Sequence, residues 1–227
     1  GVTKFSKVSI FSDLNNLNDI SLSSKFATIC GITEEELYAG FAEDIKILAD
    51  SSGLSLDEAK QELKEWYDGY HFASDCPDIY NPFSLLNVFS EMKFGSYWFE
   101  TGTPTFLVTL LKKGHYVLSN LDKEQVTRDM LGDIDNIGGN PLPILYQSGY
   151  LTLKGYDREF GTYSLGFPNR EVSEGFNRYL LLGYASVPSG NSAFQIQNFV
   201  WEIRRGDTDA FLRRLQSFFA DTPYELA

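Results

Sequence analysis

Apolar and polar positions alternate at helical spacing from Thr33 to Tyr67, and two start signals divide that stretch. Thr33-Glu34-Glu35-Glu36 is a capping box, followed by Leu37, Phe41, Ile45 and Leu48 on one face. This pattern predicts one helix, ending near Ser51-Ser52-Gly53. Ser55-Leu56-Asp57-Glu58 is a second capping box, and its helix carries Leu56, Ala59, Leu63 and Trp66 on one face. The opposite faces are crowded with Glu, Asp and Lys and read as solvated. The second helix stops at Asp68-Gly69, because glycine takes the left-handed backbone that closes a helix at little cost. A loop follows, and Asn81-Pro82 opens the next helix with an Asn cap and a Pro in the first turn. That helix is apolar at Phe83, Leu86, Val88 and Phe89, with Gly95 as its stop. Trp66, Tyr67, Tyr70, Phe72 and Tyr80 surround the loop. They either clamp it into a core or present a surface. The preferred reading is a pinned structural hinge.

The flanking segments extend the helical pattern and add one hairpin. Val8–Phe11 is a short apolar run that reads as a strand end, followed by a polar loop with Leu14, Leu17 and Ile20 at spacing three. Thr103-Pro104 repeats the cap-plus-Pro start for a helix ending at Gly114. Leu121–Leu131 reads as helical, and Gly132–Asn140 as a loop. From Pro141 a short helix runs to Gly149. Leu151 and Leu153, then Tyr163, Leu165 and Phe167, alternate as strands around a turn spanning Gly155–Gly161. Asn169 caps a helix with Val172, Phe176, Tyr179 and Leu180 at helical spacing. Helix, hairpin, helix is the texture of a winged helix. After a linker at Val187–Asn191, two helices are predicted, Ser192 to Arg204 and Asp207 to Phe219, with Asp207 as cap and Gly206 between them. The expected fold class is mainly α with a small β-hairpin. No internal repeat or low-complexity tract interrupts it.

Composition narrows the partners. The 227 residues are 43% hydrophobic and 15% aromatic, enough for a sizeable core. A net charge of −12 opposes nucleic-acid binding over a broad surface. Cys30 and Cys76 lie far apart without metal-type spacing, and there are only two histidines, so no metal site is expected. Two reduced thiols suit a cytoplasmic protein. No run reaches the ~18 apolar residues of a membrane span, and no signal peptide is evident. The opening Gly-Val-Thr, without Met, suggests an excised fragment.

The motifs of common chemistries are missing. There is no phosphate loop of the GxxxxGK(S/T) type; Gly138-Gly139-Asn140-Pro141 lacks the Lys. There is no GxGxxG and no GxSxG elbow. His71 and His115 have no evident Ser or Cys partner and read as packing residues. Asp68 and Asp75 read as a helix cap and a turn residue. Glu100 is open between a structural and a functional role. The residues describe a helical, two-lobed chain without a complete active site.

Three stretches carry a resemblance that covers nearly the whole chain: GVTKFSKVSIFSDLNNLNDIS; EWYDGYHF with IYNPFSLLN and YWFETGTPTFL; and LYQSGYLTLKGYD with YSLGFPNREV. Their order and texture resemble the predicted AAA-ATPase-like family of bacterial proteins. In that family a P-loop core with Walker motifs comes first, and a nuclease domain of the PD-(D/E)xK type often follows. The resemblance implies that this chain starts just after the first sensor strand. Residues 1–22 would then be a remnant of the ATPase core, 23–117 a helical lid, 118–188 a winged-helix-like domain, and 189–227 a helical linker towards the nuclease domain. ATP and Mg are implied for the parent and no cofactor for this fragment. Thr3 and Lys4 match the loop after the sensor strand and would lie near phosphate. Gly102 and Pro104 are similar to a Gly-x-Pro turn that supports adenine, with Asp68-Gly69-Tyr70 as a rival for that role.

The resemblance therefore implies a lid plus winged-helix portion, not catalytic by itself, that couples nucleotide state to an effector domain or partner. A DNA-binding winged helix and a plain protein-interaction domain are the alternatives. The expected wing offers Lys154, Arg158 and Arg170 among Asp157, Glu159 and Glu171. That mixed pattern favours an intramolecular or protein contact over DNA.

Overall fold

The computed structural model describes residues 20–99, 111, 125–132, 140–184 and 192–220. Thr3, Lys4, Gly102 and Pro104, together with Glu100, His115, the Val8–Phe11 run, the Thr103-Pro104 helix start, Gly138-Gly139 and the Val187–Asn191 linker, lie outside the described residues. The fold is mainly α with a small antiparallel sheet, as the patterning predicts. The chain divides into two compact units, Gly1–Ser173 and Glu174–Ala227.

Both capping boxes form. Thr33 Oγ1 accepts the Glu36 N–H at 3.2 Å while a Glu36 carboxylate oxygen accepts the Thr33 N–H at 2.9 Å. Ser55 and Glu58 repeat the exchange at 3.3 and 2.8 Å. The first box starts α1 (Glu34–Gly40), and a second helix, α2 (Ala42–Ser52), follows it directly. The single helix expected from the pattern is broken at Phe41, which leaves helical geometry at φ −124°, ψ 22°. Gly40 holds the preceding turn weakly. The Phe41 ring stacks on Phe89 with centroids 5.3 Å apart. Gly53, at φ 67°, closes α2 as expected.

The core faces are rotated relative to those the spacing predicts. In α3 (Leu56–Tyr67) the buried residues are Ala59, Leu63 and Tyr67, spaced by four; Leu56 is exposed and Trp66 only half-buried. In α4 (Pro82–Glu91) Ser84, Leu85, Val88 and Phe89 are buried, whereas Phe83 and Leu86 are 45% and 55% exposed. One stripe cannot hold 83 and 86 as well as 85, 88 and 89, because each residue advances 100° around the helix. The Asn81 cap is confirmed, its Oδ1 accepting the Phe83 and Ser84 N–H groups at 3.0 and 3.4 Å. The stop is Met92 in the left-handed region (φ 48°), not Gly95. Leu37, Ile45, Leu48, Leu63, Tyr67 and Leu85 form the centre of this bundle's core.

The sheet contains one strand more than the hairpin. Gln125–Thr127 is β1, followed by the short helix α5 (Arg128–Gly132), in a stretch expected to be helical throughout. Val126 alternates with polar neighbours and is buried, the period-two pattern of a strand. Helix α6 (Leu142–Gln147) is closed by Gly149 at φ 83°. Strands β2 (Thr152–Asp157) and β3 (Thr162–Gly166) form the hairpin, and the sheet order is β1-β3-β2. The turn is tighter than expected. Pairing persists to Asp157–Thr162, and Asp157 Oδ1 accepts the Glu159 and Phe160 N–H groups in the turn. Asn169 caps α7 (Arg170–Tyr184), accepting the Val172 N–H at 3.1 Å.

The second unit contains α8 (Ser192–Arg204) and α9 (Thr208–Ala220). Gly206 (φ 70°) turns the chain between them, Asp207 caps α9 through the Ala210 N–H, and Arg214 holds Glu202 through Nε at 2.8 Å and Nη2 at 2.6 Å. Among the described residues, no helix is long and apolar enough to cross a membrane.

Candidate functional site

The loop from Asp68 to Asn81 is the centre of the first unit. Its ends are drawn together by the Asn81 N–H donating to the Tyr67 carbonyl at 2.9 Å. Tyr80 pairs with Ile32, and Tyr70 pairs with Ile79 through N–H···O contacts of 3.3 and 2.9 Å. The two readings of the aromatics separate by residue. Tyr67 and Tyr80 are fully buried and Tyr70 nearly so, while Trp66 and Phe72 are half-buried. The Tyr67 hydroxyl accepts the Gly95 N–H at 3.1 Å and donates to the Gly95 carbonyl at 2.9 Å. Gly95 thus serves as an anchor for the core phenol. Burial pushes the Tyr67 and Tyr70 hydroxyls well above the ordinary phenol value.

The loop is tied to the sheet. The His71 N–H donates to Thr152 Oγ1 at 2.7 Å, and the same hydroxyl donates to the His71 carbonyl at 2.8 Å. Gly69, at φ 94°, lets the backbone pass under Pro168. A Cβ there would stand 2.2 Å from the Pro168 carbonyl oxygen. The Lys154 ammonium donates to the Pro168 carbonyl at 3.2 Å and the Gly69 carbonyl at 3.4 Å. Burial of that ammonium end pushes Lys154 down, with Asp78 and Asp68 pulling it back. Asp68 is buried, which raises its carboxyl; a bond from the Gly69 N–H opposes this. Asp68 is the C-cap of α3 and Asp75 a turn residue, as their sequence reading has it, and Asp75 accepts the neighbouring Ser74 hydroxyl at 3.4 Å.

A buried carboxylate makes the second anchor. Glu171, in the first turn of α7, is completely buried. One of its oxygens accepts the backbone N–H groups of Tyr97 and Trp98 at 2.5 and 2.7 Å, and the other accepts the Ser84 hydroxyl at 2.6 Å. Burial pushes Glu171 up, and these donors pull it down. Sequence pattern alone groups Glu171 with the mixed charges of the expected wing. Its position two residues after a cap is the signal that could have found it, because a helix's first turn faces whatever its N-terminus abuts.

Beside the loop lies a cavity of about 310 Å³, walled by Tyr70, Phe72, Trp98 and Tyr146, with Asn81 and Gln147 as polar groups. Trp98 meets Tyr150 edge-on at 5.2 Å. None of the cavity's described lining residues is charged. His71, between the lining residues Tyr70 and Phe72, does have polar neighbours, which corrects its reading as a packing residue. Its Nδ1 is 2.8 Å from Asp78 Oδ1, and Cys76 Sγ is 3.7 Å from Nε2 and 3.8 Å from Nδ1. Among the described residues, no group of three or more His, Cys, Asp or Glu is placed to hold a metal.

No family model matches the chain, and no solved structure matches it. Over 229 residues covering 99% of the chain, it is 37% identical to a protein of Azotobacter chroococcum mcd 1 described as an "Uncharacterized protein in vnfD 5'region". The chain spans 42% of that relative's length.

Proposed function

We propose that this chain is the lid plus winged-helix-like portion of a cytoplasmic AAA-ATPase-like protein, coupling nucleotide state to an effector domain or partner without catalysing a reaction itself. In the intact protein, ATP and Mg would be held by a P-loop core ahead of this chain, and an effector domain of nuclease type would follow it. Support comes from the order of elements: a helical bundle, then β1, two short helices, the β2–β3 hairpin and α7. The relative is more than twice as long as the segment it shares with this chain, which suits a part that works within a larger protein.

The observation that carries a coupling role over a DNA-binding one concerns the wing's cations. Lys154 spends its ammonium on the Gly69 and Pro168 carbonyls, and Arg170 stacks its guanidinium 4.5 Å from the Trp66 ring. Two of the three basic groups expected on a DNA-reading wing thus hold the wing to the bundle. Such a joint transmits movement as a rigid body.

The test uses the intact gene product. Its sequence upstream of this chain should contain GxxxxGK(S/T), and ATP with Mg should change hydrogen exchange across 66–99 and 152–173. The isolated 227-residue chain should leave ATP unbound. A missing P-loop upstream, or tight ATP binding by the isolated chain, would overturn the reading.

A further inference from the structure

We propose that the aromatic cavity beside the loop binds a neutral, planar, two-ring aromatic molecule carrying one hydrogen-bonding substituent. Folded interiors leave few voids larger than a water molecule, so a space of about 310 Å³ is no packing defect. An apolar cavity of roughly 150 Å³ takes up benzene. Twice that volume suits two fused rings with a small substituent. The walls are held from outside the cavity, which keeps it open. The Tyr70 hydroxyl donates to the Gly149 carbonyl at 3.3 Å, and its backbone pairs with Ile79. The Trp98 backbone N–H is fixed by Glu171, and Gln147 Nε2 donates to the Leu131 carbonyl at 2.9 Å. Gly149 lies between two of the rings: a Cβ there would stand 3.6 Å from Trp98 Cζ2 and 3.8 Å from Tyr70 Cε1.

The lining selects the ligand's chemistry. Tyr70 and Phe72, two residues apart, hold their ring planes within 13° of each other at a centroid distance of 6.4 Å. Aligned faces of this kind receive a flat ring by offset stacking, which a branched aliphatic group cannot match. Asn81, Gln147 and Ser148 add amide and hydroxyl groups, the usual polar partners of a neutral substituent. No described lining residue is charged, so an ionised ligand would give up its hydration without a counter-charge.

Three probes that share one ring system separate shape from charge. The 227-residue chain is titrated with naphthalene-2-carboxamide, naphthalene-2-carboxylate and 2-naphthylmethylammonium, followed by saturation-transfer NMR. The carboxamide should bind saturably, with Kd of about 0.1–1 mM, and each charged probe about tenfold more weakly. Cys30 lines the cavity and is solvent-exposed, so a larger side chain there fills the space without entering the core. Cys30→Trp should weaken the carboxamide about tenfold. Phe160→Ala, exposed in the hairpin turn and outside the cavity, should leave binding unchanged. Absence of saturable carboxamide binding to the unaltered chain would overturn the proposal, and that measurement needs no variant to fold. So would a charged probe that binds as tightly as the carboxamide, or unchanged binding in folded Cys30→Trp.

Discussion

Glu171 shows what a single buried carboxylate can do in this chain. It gathers two backbone donors from 97–98 and a hydroxyl from α4, so removing it orphans buried groups on two segments at once. Glu171→Ala should destabilise the first unit by about 3 kcal/mol, since each buried unsatisfied group costs roughly 1–3. Glu171→Gln keeps one oxygen for both N–H groups and should cost about 1 kcal/mol or less near pH 4. The pair also gives a pH signature. Burial raises the folded-state value of Glu171 above its ordinary 4.5, so the fold binds its proton more tightly than the unfolded chain does. The contribution is fully present below about pH 4.5 and is lost as pH rises through the folded value. Urea titrations from about pH 4 to 7 should show the unaltered chain losing stability relative to Glu171→Gln as pH rises; parallel curves would show that the site carries no such linkage. Trp66 and Tyr67 make a second contrast. Trp66 is half-buried, covered by Arg170 and bonded through Nε1 to Glu62 at 2.9 Å. Trp66→Ala should cost about 2 kcal/mol, less than the about 3–5 kcal/mol expected for a fully buried aromatic. Tyr67→Ala should cost that larger amount, and denaturant midpoints will rank the two.

The turn at Gly69 brings the end of α3 against the residue before α7's cap, and it does so only because position 69 has no side chain. Gly69→Ala would combine a positive φ with a contact of 2.2 Å to a backbone oxygen, which cannot move aside like a flexible side-chain tip. The substitution should destabilise the first unit by about 2 kcal/mol or more. Gly53→Ala, with the same sign of φ but open space around it, should cost about 1 kcal/mol. Thermal melts of the two variants side by side separate strain from collision. This turn also marks the boundary of what the sequence discloses. Caps, the glycine stops at Gly53 and Gly149 and the hairpin are legible because they depend on neighbours in the chain: Thr33 with Glu36, Ser55 with Glu58, Asn81 with Pro82, Asn169 with Val172; the stop at Met92 is not. The break at Phe41 is not, because a ring stacked on distant Phe89 decides it. Strand β1 is hidden for the same reason, as three residues become a strand only by pairing with β3. The His71–Cys76–Asp78 cluster needs the Tyr70–Ile79 bridge, which spacing alone does not announce.

Across the whole molecule, charge and geometry act in the same direction. The chain carries −12 overall, and a duplex is itself a dense line of negative charge. A protein can overcome such a field locally by concentrating cations on one face. In this chain Lys154 and Arg170 instead point at carbonyls and an indole, and Arg158 sits in the hairpin turn beside Asp157 and Glu159. A labelled duplex titrated with the 227-residue chain at about 20 mM salt should therefore show no saturable binding up to tens of micromolar, although phosphate contacts are strongest at low salt. Lys154→Ala sharpens the test. If the lysine belongs to the joint between hairpin and loop, its loss should lower the unfolding midpoint while leaving the flat duplex titration unchanged. If it belongs to a DNA-reading wing, the unaltered chain should bind at low salt and the variant should bind less, with a shallower salt dependence. Stability loss without any nucleic-acid signal would assign Lys154 to holding the hairpin against the turn at Gly69 and the segment at Pro168.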